Sequence, residues 1–313
     1  MILGGFLMKK FFSMISRICV AVLLLSVAFI PAKTFAADME SEGVKAYREA
    51  LSSYSEESES IFRQDILFTS PLMQGELDIL CTTENDMFKA TVDFSLWIYN
   101  DDGTITENII PYYMEQNGKD MTIYFKSGKQ WQKFVTPSLA ASIMDMVATP
   151  TSEEVEELIA DTKDVTILRE NENRRTMLIT LDGNRMADSL KAKSDENPDA
   201  NQEDTVNYLD TALRNANVWY MWTIDKRDWR TITMQYHLSG IVQELARAAL
   251  NDPNKQWPDE FSQLLETIAY YSEIRAYTTY PTDPKAKKQF QIPKNVLKAK
   301  SVDNLISLDV TMK

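Results

Sequence analysis

Apolar and polar residues alternate through much of the chain, and this pattern predicts a sheet with one buried face. Apolar residues occupy every second position in 73–81 and in 88–98, which is the period of a half-buried strand. Asn117-Gly118 and Ser127-Gly128 then predict tight turns between successive strands. Further strands are expected at 104–116, 121–125, 131–134, 165–167, 177–181, 218–224, 232–238 and 270–280.

A smaller part of the chain has helical spacing of its apolar residues. Val44, Tyr47, Leu51 and Tyr54 predict a first helix over 41–60. Later helices are expected near 139–147, 151–161, 187–193, 206–213, 239–249 and 258–268. Ser194 to Asp204 is polar, acidic and contains a proline, which predicts a flexible loop.

This order of elements predicts an α+β fold in one domain spanning 37–313. Half-buried strands joined by tight turns favour a single, strongly curved antiparallel sheet, an open half-barrel. The few amphipathic helices are expected to cover its concave face, because an apolar sheet face needs a partner layer.

The first 36 residues have the pattern of a secretory signal peptide. Lys9, Lys10 and Arg17 precede an apolar run from Val20 to Ile30, and small residues before Ala37 suit a cleavage site. An uncleaved anchor helix is the alternative, although eleven apolar residues are short for a membrane span. Cys19 precedes the apolar run rather than following it, so no lipid anchor is expected. The sequence therefore predicts an extracytoplasmic protein, periplasmic or secreted, that is not stably membrane-anchored after cleavage.

Net charge and cysteine content further limit the classes of protein to which the chain could belong. Removing the signal peptide removes four positive charges and no acid, which takes the formal net charge from −13 to −17. Such an acidic chain is a poor binder of nucleic acid, so no nucleic-acid partner is expected. Only Cys81 remains, which excludes an intramolecular disulfide. Lysines between Lys285 and Lys300 form one basic run, interpreted either as a solvated surface or as a contact for phosphates or headgroups.

Several phrases resemble the bacterial extracytoplasmic lipoprotein carriers, the LolA-like and LppX/LprG-like superfamily. They are "LDILCTT", "FKATVDFSLWIY", "YYMEQNGKDMTIYFKSGKQWQKF" and "IPKNV", in the same order and after a signal peptide. The chain resembles a secreted relative without a lipobox. The resemblance implies an apolar hollow between sheet and helices, a lipid or lipoprotein acyl chain as ligand, and an envelope protein as a candidate partner.

By that resemblance, the apolar residues on predicted interior faces become ligand-pocket candidates. They are Phe88, Phe94, Met121, Phe125, Met234 and Tyr236. The alternative is that each is ordinary core, since apolar stripes usually are. Trp219, Trp222 and Trp229 form an aromatic group in the sequence that is interpreted either as a pocket mouth or as ordinary packing.

The sequence offers little catalytic chemistry. His237, the single histidine, is expected to point outward, and Cys81 to point inward as an inert thiol. HExxH, CxxC, GxSxG and phosphate-binding glycine loops are absent from the sequence. Together with the resemblance, which implies a hollow for an apolar ligand, this leads us to expect a non-enzymatic carrier or sensor with no cofactor and no metal site. A protein-interaction module with a filled core is the alternative, and a hydrolase using paired carboxylates is the third hypothesis.

Overall fold

The computed structural model describes residues 41–53, 59–84, 87–99, 102–117, 120–127, 129–136, 152–196, 203–280 and 292–302. The helices of this part are α1 Glu42–Ser53, α2 Ser152–Ala160, α3 Gly183–Glu196, α4 Glu203–Asn215, α5 Ser239–Leu250 and α6 Asp259–Tyr271. The strands are β1 Glu59–Thr69, β2 Met73–Glu84, β3 Met87–Tyr99, β4 Ile105–Asn117, β5 Asp120–Ser127, β6 Gln130–Thr136, β7 Thr162–Glu170, β8 Arg174–Leu181, β9 Trp219–Asp225, β10 Thr231–His237, β11 Glu273–Thr279 and β12 Lys300–Ser301.

These strands form one curved sheet that does not close on itself. With the helices they make an α+β fold, as the sequence predicts. Their order is β12-β6-β5-β4-β3-β2-β1-β11-β10-β9-β8-β7. Two antiparallel meanders, β1 to β6 and β7 to β11, are therefore joined where β1 pairs with β11. The short parallel pair between β12 and β6 is the exception to the antiparallel pattern.

The two faces of the sheet differ in character, and the strand register defines them. We call the face that carries Cys81, Phe94 and Trp222 the inner face. Cys81 pairs with Ala90, and Phe94 pairs with Leu77, so the buried positions of neighbouring strands coincide. On β8 and β9 the same alternation buries Met177 and Trp222. A one-residue slip would move every one of these side chains to the other face, so burial fixes the register.

The described helices pack on the inner face. Tyr47 and Ala50 of α1 join one hydrophobic core with residues of β8, β9 and α5. Gly43 allows α1 to approach β7 closely, because a Cβ there would lie 1.9 Å from the carbonyl oxygen of Val165. Helices α3 to α6 contact one another in sequence order, and α5 also contacts β11.

The segment 292–302 packs on the opposite, outer face. Val296 and Ala299 are buried there in a small cluster with Tyr124 of β5. Trp131 of β6 packs against the same cluster. This second, minor layer covers the outer face near one end of the sheet.

Three predictions of element boundaries are wrong. The first helix ends at Ser53, and β1 begins at Glu59 inside the range predicted as helix. Tyr270 and Tyr271 complete α6, so the last long strand begins only at Glu273. The third helix is longer than predicted, since α3 runs from Gly183 to Glu196.

Other predicted elements fall partly or wholly outside the described residues. The predicted helix at 139–147 lies there entirely, as does the predicted signal peptide at 1–36. The predicted loop at 194–204 overlaps the last residues of α3 and the first of α4, and 197–202 lie outside the described part. The loop, the signal peptide and the single domain spanning 37–313 remain predictions.

Candidate functional site

The structure places five of the six predicted pocket residues in two groups. Phe94, Met121 and Phe125 lie on the inner face of β3 and β5, whereas Met234 and Tyr236 lie on β10. Four strand spacings separate β3 from β10 in the sheet, which corresponds to roughly 19 Å. Phe88 lies on β3 opposite Thr83, and its side chain is not among those described. The two groups therefore lie on separate parts of the inner face.

The β10 group belongs to a buried core built around three tyrosines. The Tyr47 and Tyr220 hydroxyls lie 2.6 Å apart, and the Tyr220 and Tyr236 ring centroids lie 5.6 Å apart. Tyr236 donates its hydroxyl proton to the sulfur of Met234 at 3.4 Å. Trp222 meets the Tyr47 ring edge-on at a centroid distance of 5.9 Å. Sequence reasoning placed Tyr47 on a helix face but did not identify this cluster.

Burial controls the ionisation of these tyrosines. It raises the pKa of Tyr47 to about 12, and the hydrogen bond with Tyr220 only partly opposes that rise. Burial likewise raises the pKa of Tyr220 and of Tyr236 well above 10.0. Because an ionised phenol loses its hydration in such a core, all three hydroxyls stay protonated at neutral pH.

The β3–β5 group borders a less enclosed part of the inner face. Phe94 is 8% exposed and packs with Met73 and Leu96, and Leu264 of α6 contacts this cluster. Met121 and Phe125 on β5 are fully buried. Their neighbours on β4 to β6 are only half-buried, although they face the same side of the sheet. These neighbours, which we call the apolar shelf, are Tyr112, Met114, Ile123 and Phe134.

The strand register brings the four shelf residues together from three neighbouring strands, β4, β5 and β6. Met114 pairs with Ile123, which in turn pairs with Phe134, and Tyr112 pairs with Phe125. Directly paired side chains on one face lie about 5 Å apart, so the shelf is a continuous apolar surface. It lies at the β6 end of the sheet, whereas α1 and α2 pack against β7 at the other end. The shelf is the candidate binding site.

The two residues with potentially reactive side chains, Cys81 and His237, are not part of this shelf. Cys81 is buried on the inner face, as predicted, and burial raises the pKa of its thiol. A protonated, enclosed thiol is a poor nucleophile. His237 lies on the outer face and stacks on Trp219 at a centroid distance of 5.0 Å, with nearly parallel rings. Within the described ranges, no group of three or more His, Cys, Asp or Glu side chains is arranged to hold a metal ion.

The three tryptophans near residue 220 do not form a pocket mouth. Trp222 is buried on the inner face, while Trp219 lies on the outer face beside His237. They are three residues apart on one strand, so they point to opposite sides of the sheet. Trp229 packs at the margin of the core and has a positive φ of 61°.

Across the part of the chain that the structure describes, none of the helices combines the length and apolarity needed to cross a membrane. No protein-family model matches the chain, and no curated protein matches it. Among solved structures it is similar to a DUF1329 family protein from Desulfovibrio piger, with 9% sequence identity and a TM-score of 0.21. The similarity covers 77% of this chain and 92% of that chain. At that TM-score, neither fold nor function is inferred from the similarity.

Proposed function

We propose that this protein is an extracytoplasmic, non-enzymatic carrier or sensor that holds an acyl chain or another apolar ligand on the apolar shelf. The observation that carries the proposal is the incomplete burial of Tyr112, Met114, Ile123 and Phe134 on the core-facing side of the sheet. An apolar surface that the protein leaves partly exposed gains roughly 25 cal/mol for each Å² that a ligand covers.

The position of the shelf supports access by a ligand. The strands that carry it, β4 to β6, lie near one end of a sheet that does not close on itself. A long, thin ligand could lie along the strands without displacing the tyrosine core under β9 and β10. Met114 adds an adaptable thioether side chain, and such side chains suit ligands of variable shape.

The extracytoplasmic location rests on the basic n-region, the apolar run and the small residues that end at Ala36. The resemblance to lipoprotein carriers supports the same location and adds an envelope protein as donor or acceptor of the ligand. A carrier needs no catalytic group, which agrees with the enclosed thiol of Cys81 and the stacked ring of His237.

Native mass spectrometry of protein purified from its own envelope, followed by lipid extraction, tests the proposal directly. Delipidated protein should also bind an environment-sensitive fatty-acid probe. Ile123→Ala should weaken probe binding several-fold, because it removes apolar contact area from the shelf. Val135→Ala is the matched control: Val135 is an exposed β-branched residue of the neighbouring strand on the outer face. Equal loss in both variants, or no copurified lipid and no probe binding, would overturn the proposal.

A protein-interaction module with a filled core is the second candidate. The complete burial of Met121 and Phe125 favours it, because these predicted pocket residues expose no surface that a ligand could cover. If the second candidate is correct, the purified protein carries no lipid, and crosslinking in the envelope should capture a protein partner through shelf residues.

A further inference from the structure

A cleft on the outer face is lined by two arginines that form no ion pair within the described part of the chain. It has a volume of about 490 Å³ and lies where β7, β8 and β9 run side by side. Its lining consists of Arg169, Glu170, Asn171, Arg174, Thr176 and Thr223. None of these residues is part of the apolar shelf, which lies on the other face and at the other end of the sheet.

The strand register explains why these side chains meet. Thr176 pairs with Thr223 across β8 and β9, and Arg169 pairs with Thr176 across β7 and β8. Because Arg175 and Met177 turn inward and are buried, Arg174 and Thr176 turn outward. The cleft is thus assembled from three strands rather than from one loop.

Two acids near the cleft, Glu170 and Asp225, already form ion pairs with basic side chains. Glu170 accepts hydrogen bonds from Arg175 at 2.9 Å and from Lys226 at 2.5 Å. Asp225, opposite Arg174 in the register, binds the guanidinium of Arg227 through both of its carboxylate oxygens, at 2.9 and 2.5 Å. Glu172, in the turn between β7 and β8, is exposed to solvent.

Two arginines remain without such a partner. Within the described part of the chain, neither Arg169 nor Arg174 forms an ion pair. Hydrogen bonds from Arg227 are the main cause that lowers the pKa of the Asp225 carboxyl, and the nearby charge of Arg174 adds to the same effect. Both arginines are exposed residues, and they stand in a protein whose formal net charge is −13. Two unpaired guanidinium groups in one concave site are therefore a local reversal of the overall charge.

The threonine pair adds neutral donors. The Thr176 and Thr223 hydroxyl oxygens lie 3.0 Å apart, so one hydroxyl donates to the other. The hydroxyl that accepts this bond keeps its own proton free to donate outward. The side-chain oxygen of Asn171 accepts from the backbone amides of Asn173 and Arg174, which leaves its NH₂ group available as a donor.

We infer that this cleft binds a phosphate-type oxyanion, with Arg169 and Arg174 as the charged ligands and the Thr176–Thr223 pair as a neutral donor. The planar guanidinium fork matches two oxygens of a phosphate, which makes arginine the preferred residue for this recognition. The cleft is larger than one phosphate, so the ligand is a small phosphate ester, either free or as the headgroup of a lipid.

Calorimetric titration of the full chain at low ionic strength tests the inference, with sodium phosphate and sn-glycerol 3-phosphate as probes. The double variant Arg169→Gln/Arg174→Gln should weaken binding at least about tenfold, because it removes two charge-assisted contacts. Lys163→Gln/Lys191→Gln is the control, since it removes the same charge from exposed positions outside the cleft. Added salt should weaken binding by the wild type.

Flotation with phosphatidylcholine vesicles, with and without phosphatidic acid, distinguishes the two sources of the phosphate. Binding to phosphatidic acid vesicles that depends on both arginines identifies a lipid headgroup, and binding of the soluble esters alone identifies a free metabolite. The inference is overturned if the wild type binds none of these probes, or if both double variants bind them equally. Fatty-acid probe binding by the shelf is measured in parallel and should not change in either variant.

Discussion

The hydroxyl oxygens of Tyr47 and Tyr220 lie 2.6 Å apart and join α1 to β9 across 173 residues of sequence. Both side chains are buried, so this bond has little competition from water. It ties the first described helix to β9, two strands from the β7 end of the sheet. Arg175 reaches the same helix by binding Glu49 at 3.0 Å. The attachment of α1 therefore combines one buried neutral bond with one partly exposed ion pair.

Replacing Tyr47 with phenylalanine should lower the free energy of unfolding by about 1 kcal/mol, the net value of a typical intramolecular hydrogen bond. The ring and its edge-on contact with Trp222 are retained, so the loss isolates the hydroxyl. Urea denaturation measures it. Tyr271→Phe, on the exposed end of α6, is the control and should change stability by less than about half a kcal/mol. Equal stability of Tyr47→Phe and wild type would show that the bond contributes nothing net.

Stability should fall as pH rises from about 10 to about 12. The folded protein raises the pKa of Tyr47 to about 12, above the ordinary value of 10.0, and raises those of Tyr220 and Tyr236 as well. A raised folded-state pKa contributes stability that is complete below the unfolded value and is lost as pH climbs toward the folded value. Denaturation curves across this range measure the loss, with phenolate absorbance recorded alongside. Phenolate formation by these three tyrosines before unfolding would contradict their burial.

Because of Glu170, the stability of the fold should also depend on pH in the acid range. Its bonds with Arg175 and Lys226 hold the pKa of its carboxyl below 4.5. A depressed folded-state pKa contributes stability that is present above the unfolded value and lost as pH falls through the folded value. Glu170→Gln should therefore cost on the order of 1 kcal/mol at neutral pH, and the gap to wild type should close below pH 4.5. Glu172→Gln, two residues away and exposed, should show no such gap.

The thiol of Cys81 should react with an aromatic disulfide reagent only after unfolding. It is buried on β2, and burial raises its pKa, so little reactive thiolate forms at neutral pH. Reaction kinetics in native buffer and in denaturant measure the difference. Rapid reaction in native buffer would show that the inner face opens near Cys81, which would also indicate a route for ligands.

The alternating strands could be predicted because one face of each is buried, as the run from Phe88 to Ile98 illustrates. The alternation does not predict the first strand in the chain, β1, because its inner face includes Gln64. That side chain is buried and donates to the Thr278 hydroxyl at 3.3 Å on β11, so a polar residue occupies a core position and interrupts the apolar alternation. The partner that makes this acceptable is 214 residues away, which no local pattern reveals.

The sites show the same division between local and distant information. Phe94, Met121 and Phe125 could be assigned to the inner face from period-two spacing alone. The tyrosine core and the outer cleft could not, because each depends on side chains from several strands or helices brought together by the sheet order. From the sequence alone, Arg169 and Arg174 are indistinguishable from other charged residues of a surface hairpin. Only the structure shows that Glu170 and Asp225 bind other cations, Arg175 and Arg227.

Phe94→Ala distinguishes a filled inner face from one that encloses unoccupied space. Phe94 packs with Met73 and Leu96, and its ring lies 3.5 Å from where a Cβ on Gly75 would be. In a filled core the truncation leaves a cavity and should cost about 3–5 kcal/mol. Ser95→Ala, the next residue and on the outer face, should cost less than about half a kcal/mol. Urea denaturation measures both variants after lipid removal. A loss below about 1 kcal/mol for Phe94→Ala would show that the ring borders space left for a ligand rather than closely packed core.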